Sequence, residues 1–226
     1  MLISHSRRFI FIHVGKTGGM SMREVLKPFA DEPDRFKIRR PAPLVDGRPN
    51  PLYTVWETLL LHAKAGDVAA AFPAEFQSYF KFAFVRNPWD LMVSLYHFIL
   101  REPTAAKHDQ VKAAGSFERF VEWAIATPDP FPKGITKLQS DMLVDAQGRL
   151  TVDFLGHYET IEEDFATVCR RVGIEASLPH LNRSLHAAYL RYYDNRTRDL
   201  VADHFRRDIE LFGYAFEGLR QGVGAR

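Results

Sequence analysis

The run Phe9-Ile10-Phe11-Ile12-His13-Val14, followed by Gly15-Lys16-Thr17-Gly18-Gly19-Met20-Ser21, constrains this chain more than any other stretch. Aromatic and β-branched residues in succession, without polar alternation, suit a strand buried on both faces of a parallel sheet. A glycine-bracketed turn with one cation and two hydroxyls comes next, and Met22-Arg23-Glu24-Val25-Leu26 then starts a helical pattern. A strand that hands over to a helix through glycines presents bare backbone N–H groups and the positive end of the helix dipole, and anions bind there. A phosphate-like group is therefore expected near residues 15–21.

The turn is not the common nucleotide loop G-x-x-x-x-G-K-[ST]. Gly15-Lys16-Thr17 supplies its second half, but the position of its first glycine holds Ile10, and here the glycines follow the lysine. The order aromatic-Ile-His-Val-x-Lys-Thr-Gly-Gly-x-Ser resembles the 5′-phosphosulfate loop of sulfotransferases that use 3′-phosphoadenosine 5′-phosphosulfate (PAPS). It is most similar to the branch that contains many carbohydrate sulfotransferases. Gly15 stands where proline is common in that family, and Met20 where threonine is usual. The second change removes one hydroxyl donor and keeps the backbone N–H.

A second strand-to-helix corner lies downstream. Tyr79-Phe80-Lys81-Phe82-Ala83-Phe84-Val85-Arg86 reads as a buried strand, and Asn87-Pro88-Trp89-Asp90 opens a helix with Asn87 as its N-cap. Arg86 thus sits at the carboxyl end of a strand, where open α/β sheets place ligands. Ser94 lies two turns into the helix, and a guanidinium and a hydroxyl together make directed, charge-assisted contacts to an anion. Phe-Val-Arg-Asn-Pro-Trp-Asp-x3-Ser-x-Tyr resembles the 3′-phosphate motif of the same sulfotransferases. That resemblance implies that Arg86 and Ser94 hold the 3′-phosphate distinguishing PAPS from ATP. Weaker likeness to soluble members continues at 178–184 and 208–214, so similarity runs in patches from about Phe9 to Phe216.

Further elements follow the same alternation. Ser116 caps a helix to about Ala126, stopped by Pro128 and Pro130. A strand near 152–158 leads into Thr160-Ile161-Glu162-Glu163, which has the form of a capping box, and that helix ends at Gly173. One long helix is expected from about Asn195 to Phe212. Strands alternating with helices argue for α/β architecture. With the resemblance, this implies a P-loop-like three-layer fold, a central parallel sheet flanked by helices.

A chain of 226 residues is expected to form one catalytic domain, residues 1–226. Residues 31–58 and 101–138 are expected as acceptor-side insertions. The proline-rich stretch 31–51, with Arg35, Lys37, Arg39, Arg40 and Arg48, reads as a solvated loop or as a wall for an anionic acceptor. A net charge of +2 excludes a polyanion-coating protein, so no nucleic-acid partner is expected. Cys169 is the sole cysteine, which rules out an intrachain disulfide and points to a reducing, cytoplasmic setting. No stretch reaches the length of a membrane span, and residues 1–8 lack the apolar core of a signal peptide. Beginning almost at the loop, the chain reads as a bare catalytic domain beside membrane-anchored relatives.

Sulfuryl transfer parallels phosphoryl transfer: a loose group moves in line between two oxygens while the protein positions it and stabilises charge. The resemblance implies that Lys16 stabilises the leaving phosphate. Thr17, Gly18, Gly19, Met20 and Ser21 would supply backbone or hydroxyl donors to the cofactor. His62 aligns with the family histidine proposed as general base for the acceptor hydroxyl; Glu57 and Glu159 are the alternatives. His13, His97 and His204 read as packed histidines, and Trp56 and Trp123 as core or sugar-stacking rings. No metal-ligand spacing is present, and no metal is expected. Two other functions remain open: a P-loop nucleotide kinase-like phosphotransferase, and a catalytically silent nucleotide- or glycan-binding module.

Overall fold

The computed structural model describes residues 1–31, 62–103, 105, 107–132, 135–179 and 189–220, together with the backbone of four two-residue strands at Ile38–Arg39, Leu44–Val45, Arg48–Pro49 and Trp56–Glu57. Its centre is a four-stranded sheet: β1 (Leu2–Ser4), β2 (Phe9–Ile12), β3 (Phe80–Val85) and β4 (Phe154–His157), in that spatial order. β2, β3 and β4 run parallel, with Phe9 opposite Phe80, and Val85 opposite His157. The three parallel strands match the three apolar runs of the sequence. β1 was not expected. It is an antiparallel edge strand, with Leu2 opposite Phe11, and it converts the expected parallel sheet into a mixed one.

Both faces of the sheet are buried, which is why its strands lack polar alternation. Phe9, Phe11, Phe82 and Phe84 project to one side, against Met22 and Leu26 of helix α1 (Gly19–Leu26) and Phe165 and Val168 of a later helix. Ile10, Ile12, Ala83 and Val85 project to the other, packing with Ala65 and Val68 of α2 (Ala65–Ala71), Phe212 and Tyr214. After α3 (Pro73–Ser78), the second crossover begins with α4 (Pro88–Arg101) and continues through α5 (His108–Ala114) and α6 (Phe117–Ala126). These three helices share a third apolar cluster through Leu95, Ile99, Val111, Phe120 and Val121. The result is an α/β fold with the sheet as its middle layer.

Helix ends follow local chemistry in most places. The Asn87 side chain accepts from the Trp89 N–H at 3.1 Å, and Ser116 accepts from Arg119. Helix α7 (Ile161–Val172), which carries Phe165 and Val168, stops at Gly173 with φ 68°. Its start differs from the expected capping box. Thr160 occupies the N-cap without capping a backbone N–H, and its hydroxyl donates instead to Asp164 at 2.8 Å. Asp164 in turn accepts the His157 N–H, so the β4-to-α7 junction is tied together by one carboxylate. The long C-terminal helix is two: α8 (Asn195–His204) and α9 (Arg206–Phe212), broken at Phe205. Phe205 is 1% exposed and belongs to the α4–α6 cluster, so tertiary packing decided the break. An Asp194–Thr197 capping box starts α8.

Most of residues 31–58, and part of 178–184, lie outside the described residues. Among the described residues, no helix is long and apolar enough to cross a membrane.

Candidate active site

Two corners at the carboxyl ends of adjacent parallel strands form the site. The first follows β2. Lys16 (φ 66°) and Gly18 (φ 79°) take left-handed conformations, which fold the chain back so that α1 starts at Gly19. The Thr17 hydroxyl donates to the Val14 carbonyl at 2.9 Å and its side chain is fully buried. That hydroxyl is therefore committed to holding the turn, and Thr17 retains only its amide for a ligand. Gly18 at the N-cap has no side chain to satisfy the first N–H groups of α1, and those of Gly19 and Met20 are positioned to meet an external acceptor. Ser21 is buried, its N–H returning to the Gly18 carbonyl, whereas Met20 is 54% exposed.

Gly19 is required by packing. A Cβ there would lie 2.0 Å from the Cδ2 and Nε2 atoms of His13, closer than any real contact. At Gly18 a Cβ would meet Ile161 Cδ1 at 2.4 Å, besides the positive φ. The turn is thus pressed between the imidazole of His13 and the first residue of α7.

His13 is 2% exposed, stacks on Phe11 with ring centroids 5.6 Å apart, and its Nδ1 has no partner among the described residues. Burial, more than the nearby N-terminal amine, His62 and Arg23, pushes its pKa well below the usual histidine value. It is a neutral packed histidine, as the sequence suggested. Its carbonyl accepts a hydrogen bond from His62 Nδ1 at 3.0 Å, and the two rings lie 4.5 Å apart. Because a carbonyl can only accept, neutral His62 carries its proton on Nδ1 and keeps a lone pair on Nε2. Burial lowers the His62 pKa, opposed by that hydrogen bond. The imidazole therefore has the tautomer of a base.

The Lys16 ammonium sits 4.2 Å from the ring centroid of Phe98, on α4. Its pKa is pushed down to about 8, first by burial and then by Arg86 and Arg101, with Glu102 opposing. A desolvated cation among other cations is a place that favours an arriving anion.

The second corner follows β3. Arg86 is 4% exposed. Its Nε donates to Asp90 at 2.8 Å, one Nη donates to the Lys16 carbonyl at 3.2 Å, and its guanidinium lies 4.0 Å from the centroid of Tyr158. The two corners therefore touch. Two of the guanidinium's five N–H groups are used in these bonds, and among the described residues the other three have no partner. Ser94 is buried on α4, further along the same helix.

Glu159, the other described alternative for the base, ties the second corner together. Its Oε1 accepts the Asn87 N–H at 2.8 Å and its Oε2 accepts the Tyr214 hydroxyl at 2.8 Å. Burial raises its pKa against these bonds. Each oxygen accepts one of these bonds, which link the second corner to β4's end and to Tyr214. The Glu57 and Trp56 side chains lie outside the described residues. Trp123 packs on Phe120 with centroids 6.1 Å apart, the core alternative for that ring, and His97 is bonded to the Tyr192 hydroxyl at 2.7 Å. The sequence reading missed Phe98, Tyr158 and Asp90 as neighbours of the two cations. Asp90 alone had a local signal, four residues from Arg86.

A profile of the sulfotransferase family matches residues 1–215. An uncharacterized protein of Archaeoglobus fulgidus is 32% identical over 105 residues, covering 46% of this chain and 75% of its own length. Among solved structures, mouse sulfotransferase SULT7A1 complexed with PAP is similar at a TM-score of 0.47 and 14% identity, over 98% of this chain and 87% of that one. With the family profile spanning nearly the whole sequence, this chain belongs to the sulfotransferase family.

Proposed function

We propose that this protein transfers the sulfuryl group of PAPS to a hydroxyl of a carbohydrate or glycosylated molecule. The observation that carries the reading is the contact of Arg86 with the Lys16 carbonyl, which sets two anion-binding corners side by side at the ends of neighbouring strands. Corners in contact can serve the two charged ends of one adenine nucleotide. PAPS supplies an activated sulfuryl group whose leaving group is a phosphate. The amides of Thr17, Gly18, Gly19 and Met20, with Ser21, hold the 5′ end, and Arg86 with Ser94 holds the 3′-phosphate.

Lys16 stabilises the charge that builds on the bridging oxygen as the S–O bond to the leaving phosphate breaks. His62 accepts the acceptor hydroxyl's proton on Nε2 while the new S–O bond forms, and the second product is adenosine 3′,5′-bisphosphate. Nothing in this scheme calls for a metal, because Lys16 and Arg86 provide the positive charge. We assign residues 1–226 to one catalytic domain. Residues 101–138 form part of the acceptor wall, since α5 and α6 pack beside α4, whose Phe98 touches Lys16. The buried, unpaired Cys169 suits a cytoplasmic setting.

Incubation with ³⁵S-labelled PAPS and a panel of sugar, phenol and sterol hydroxyls tests the proposal. Label in a sugar acceptor with release of the bisphosphate is expected. Label confined to non-sugar acceptors overturns the carbohydrate assignment. Transfer of label from γ-³²P-ATP instead would overturn the sulfuryl reading altogether.

A further inference from the structure

We propose that Gln139 is a positioning residue for the 3′-phosphate corner and that Asp208 holds it in place; the proposal rests on the assignment of the 3′-phosphate to Arg86. The strand ladder ends one residue short of Arg86: Ala83 pairs with Ile12 on one side, and Val85 with His157 on the other. Beyond that point the Gln139 side chain takes over. The Arg86 N–H donates to Gln139 Oε1 at 2.9 Å, and Gln139 Nε2 donates to the Arg86 carbonyl at 2.8 Å. One primary amide thus holds both peptide groups that flank the Arg86 Cα, and so fixes the direction in which the arginine side chain leaves the backbone.

Gln139 is 1% exposed and opens the 3₁₀ turn Gln139–Met142. The first two amides of that turn, those of Gln139 and Ser140, donate to the two carboxylate oxygens of Asp208 at 2.7 and 3.0 Å. Asp208 lies on α9, is fully buried, and makes no ion pair among the described residues. A buried carboxylate without a cation is costly, and its bonds are all spent on the segment that presents Gln139. Four buried hydrogen bonds therefore run from α9 through Gln139 to the back of Arg86. On its ligand side, Arg86 is held by Asp90 and the Lys16 carbonyl. The guanidinium is aimed from both ends before a ligand arrives, as supporting shells do for metal ligands.

The test reads a ratio that general loosening of the fold does not move. Calorimetric affinities of adenosine 3′,5′-bisphosphate and adenosine 5′-phosphate are measured on the whole protein, and their ratio gives the 3′-phosphate selectivity. Arg86→Ala should bring that ratio close to one. Gln139→Met, similar in length but without the two hydrogen bonds, should lower it by about 10-fold, the usual scale for a removed supporting contact. Asp208→Asn, which keeps one acceptor oxygen, should lower it less. If Gln139→Met fails to fold, the Asp208→Asn ratio decides. A normal ratio in the folded Gln139 and Asp208 variants, with Arg86→Ala still collapsing it, overturns the positioning role. A normal ratio in Arg86→Ala overturns the 3′-phosphate assignment itself.

Discussion

Lys16 makes the affinity for nucleotide depend on pH in a calculable way. Burial and the nearby Arg86 and Arg101 bring its pKa from 10.5 to about 8 in the free protein. A bound phosphate reverses this, because an anion against the ammonium favours the charged form. If Lys16 binds the nucleotide as proposed, its protonated form is the binding-competent state, so affinity should be full below pH 8 and fall as pH rises through it. The protonated fraction is about 0.76 at pH 7.5 and about 0.03 at pH 9.5, which predicts a loss of about 25-fold in affinity for adenosine 3′,5′-bisphosphate between them. The ligand contributes nothing to this slope, since its phosphates, with second pKa values of about 6, are fully ionised throughout. Burial pushes His13 and His62 down, and Tyr189, Tyr193 and Tyr214 up, away from this window. Calorimetry at half-unit pH steps measures the profile. Lys16→Ala should bind more weakly at pH 7.5 and lose the slope, while Lys16→Arg, always charged, should lose the slope and retain more affinity. A flat profile in the native protein, or an unchanged slope in Lys16→Ala, would refute the reasoning.

Three further outcomes follow from the same geometry. Lys16→Ala should lower sulfuryl transfer by about 10²–10³-fold, with a smaller effect on bisphosphate affinity at pH 7.5, read by steady-state kinetics beside calorimetry. His62→Ala should lower turnover by about 10²-fold and leave bisphosphate affinity unchanged; an unaltered rate removes it as the base. Gly19→Ala should cost about 1–3 kcal/mol in denaturant unfolding, because the added Cβ would sit 2.0 Å from the His13 ring. Adding His13→Ala should recover part of that loss, and strictly additive effects would show that the two residues are not in contact.

What the sequence discloses here is whatever is encoded locally. Phe9–Ile12 and Phe80–Val85 announce themselves as apolar runs, and the turn and the Asn87 cap that follow them are written in adjacent residues. Both corners could be placed for that reason. Their contact could not, because it depends on β2 and β3 being neighbours, and 70 residues separate Lys16 from Arg86. Gln139 and Asp208 escaped notice on the same ground: Gln139 bonds Arg86 from 53 residues away and Asp208 from 69, with no spacing rule to link them. β1 was hidden because three residues, Leu2–Ser4, are too few to display alternation, and the sheet edge gives them their pairing. The break at Phe205 and the diversion of Thr160 to Asp164 are cases in which packing and a side-chain carboxylate overrode a sound local signal. The proposed base was only half legible. His62 was found by its order in the chain, but its tautomer needed the His13 carbonyl.

A crystal structure of the protein with adenosine 3′,5′-bisphosphate tests the shared grip of the two corners most directly. The account predicts the 5′-phosphate on the amides of residues 17–20 within reach of Lys16, and the 3′-phosphate on the free N–H groups of Arg86 and on the Ser94 hydroxyl. A nucleotide seated with its 3′-phosphate in solvent, or held by only one of the two corners, would contradict it.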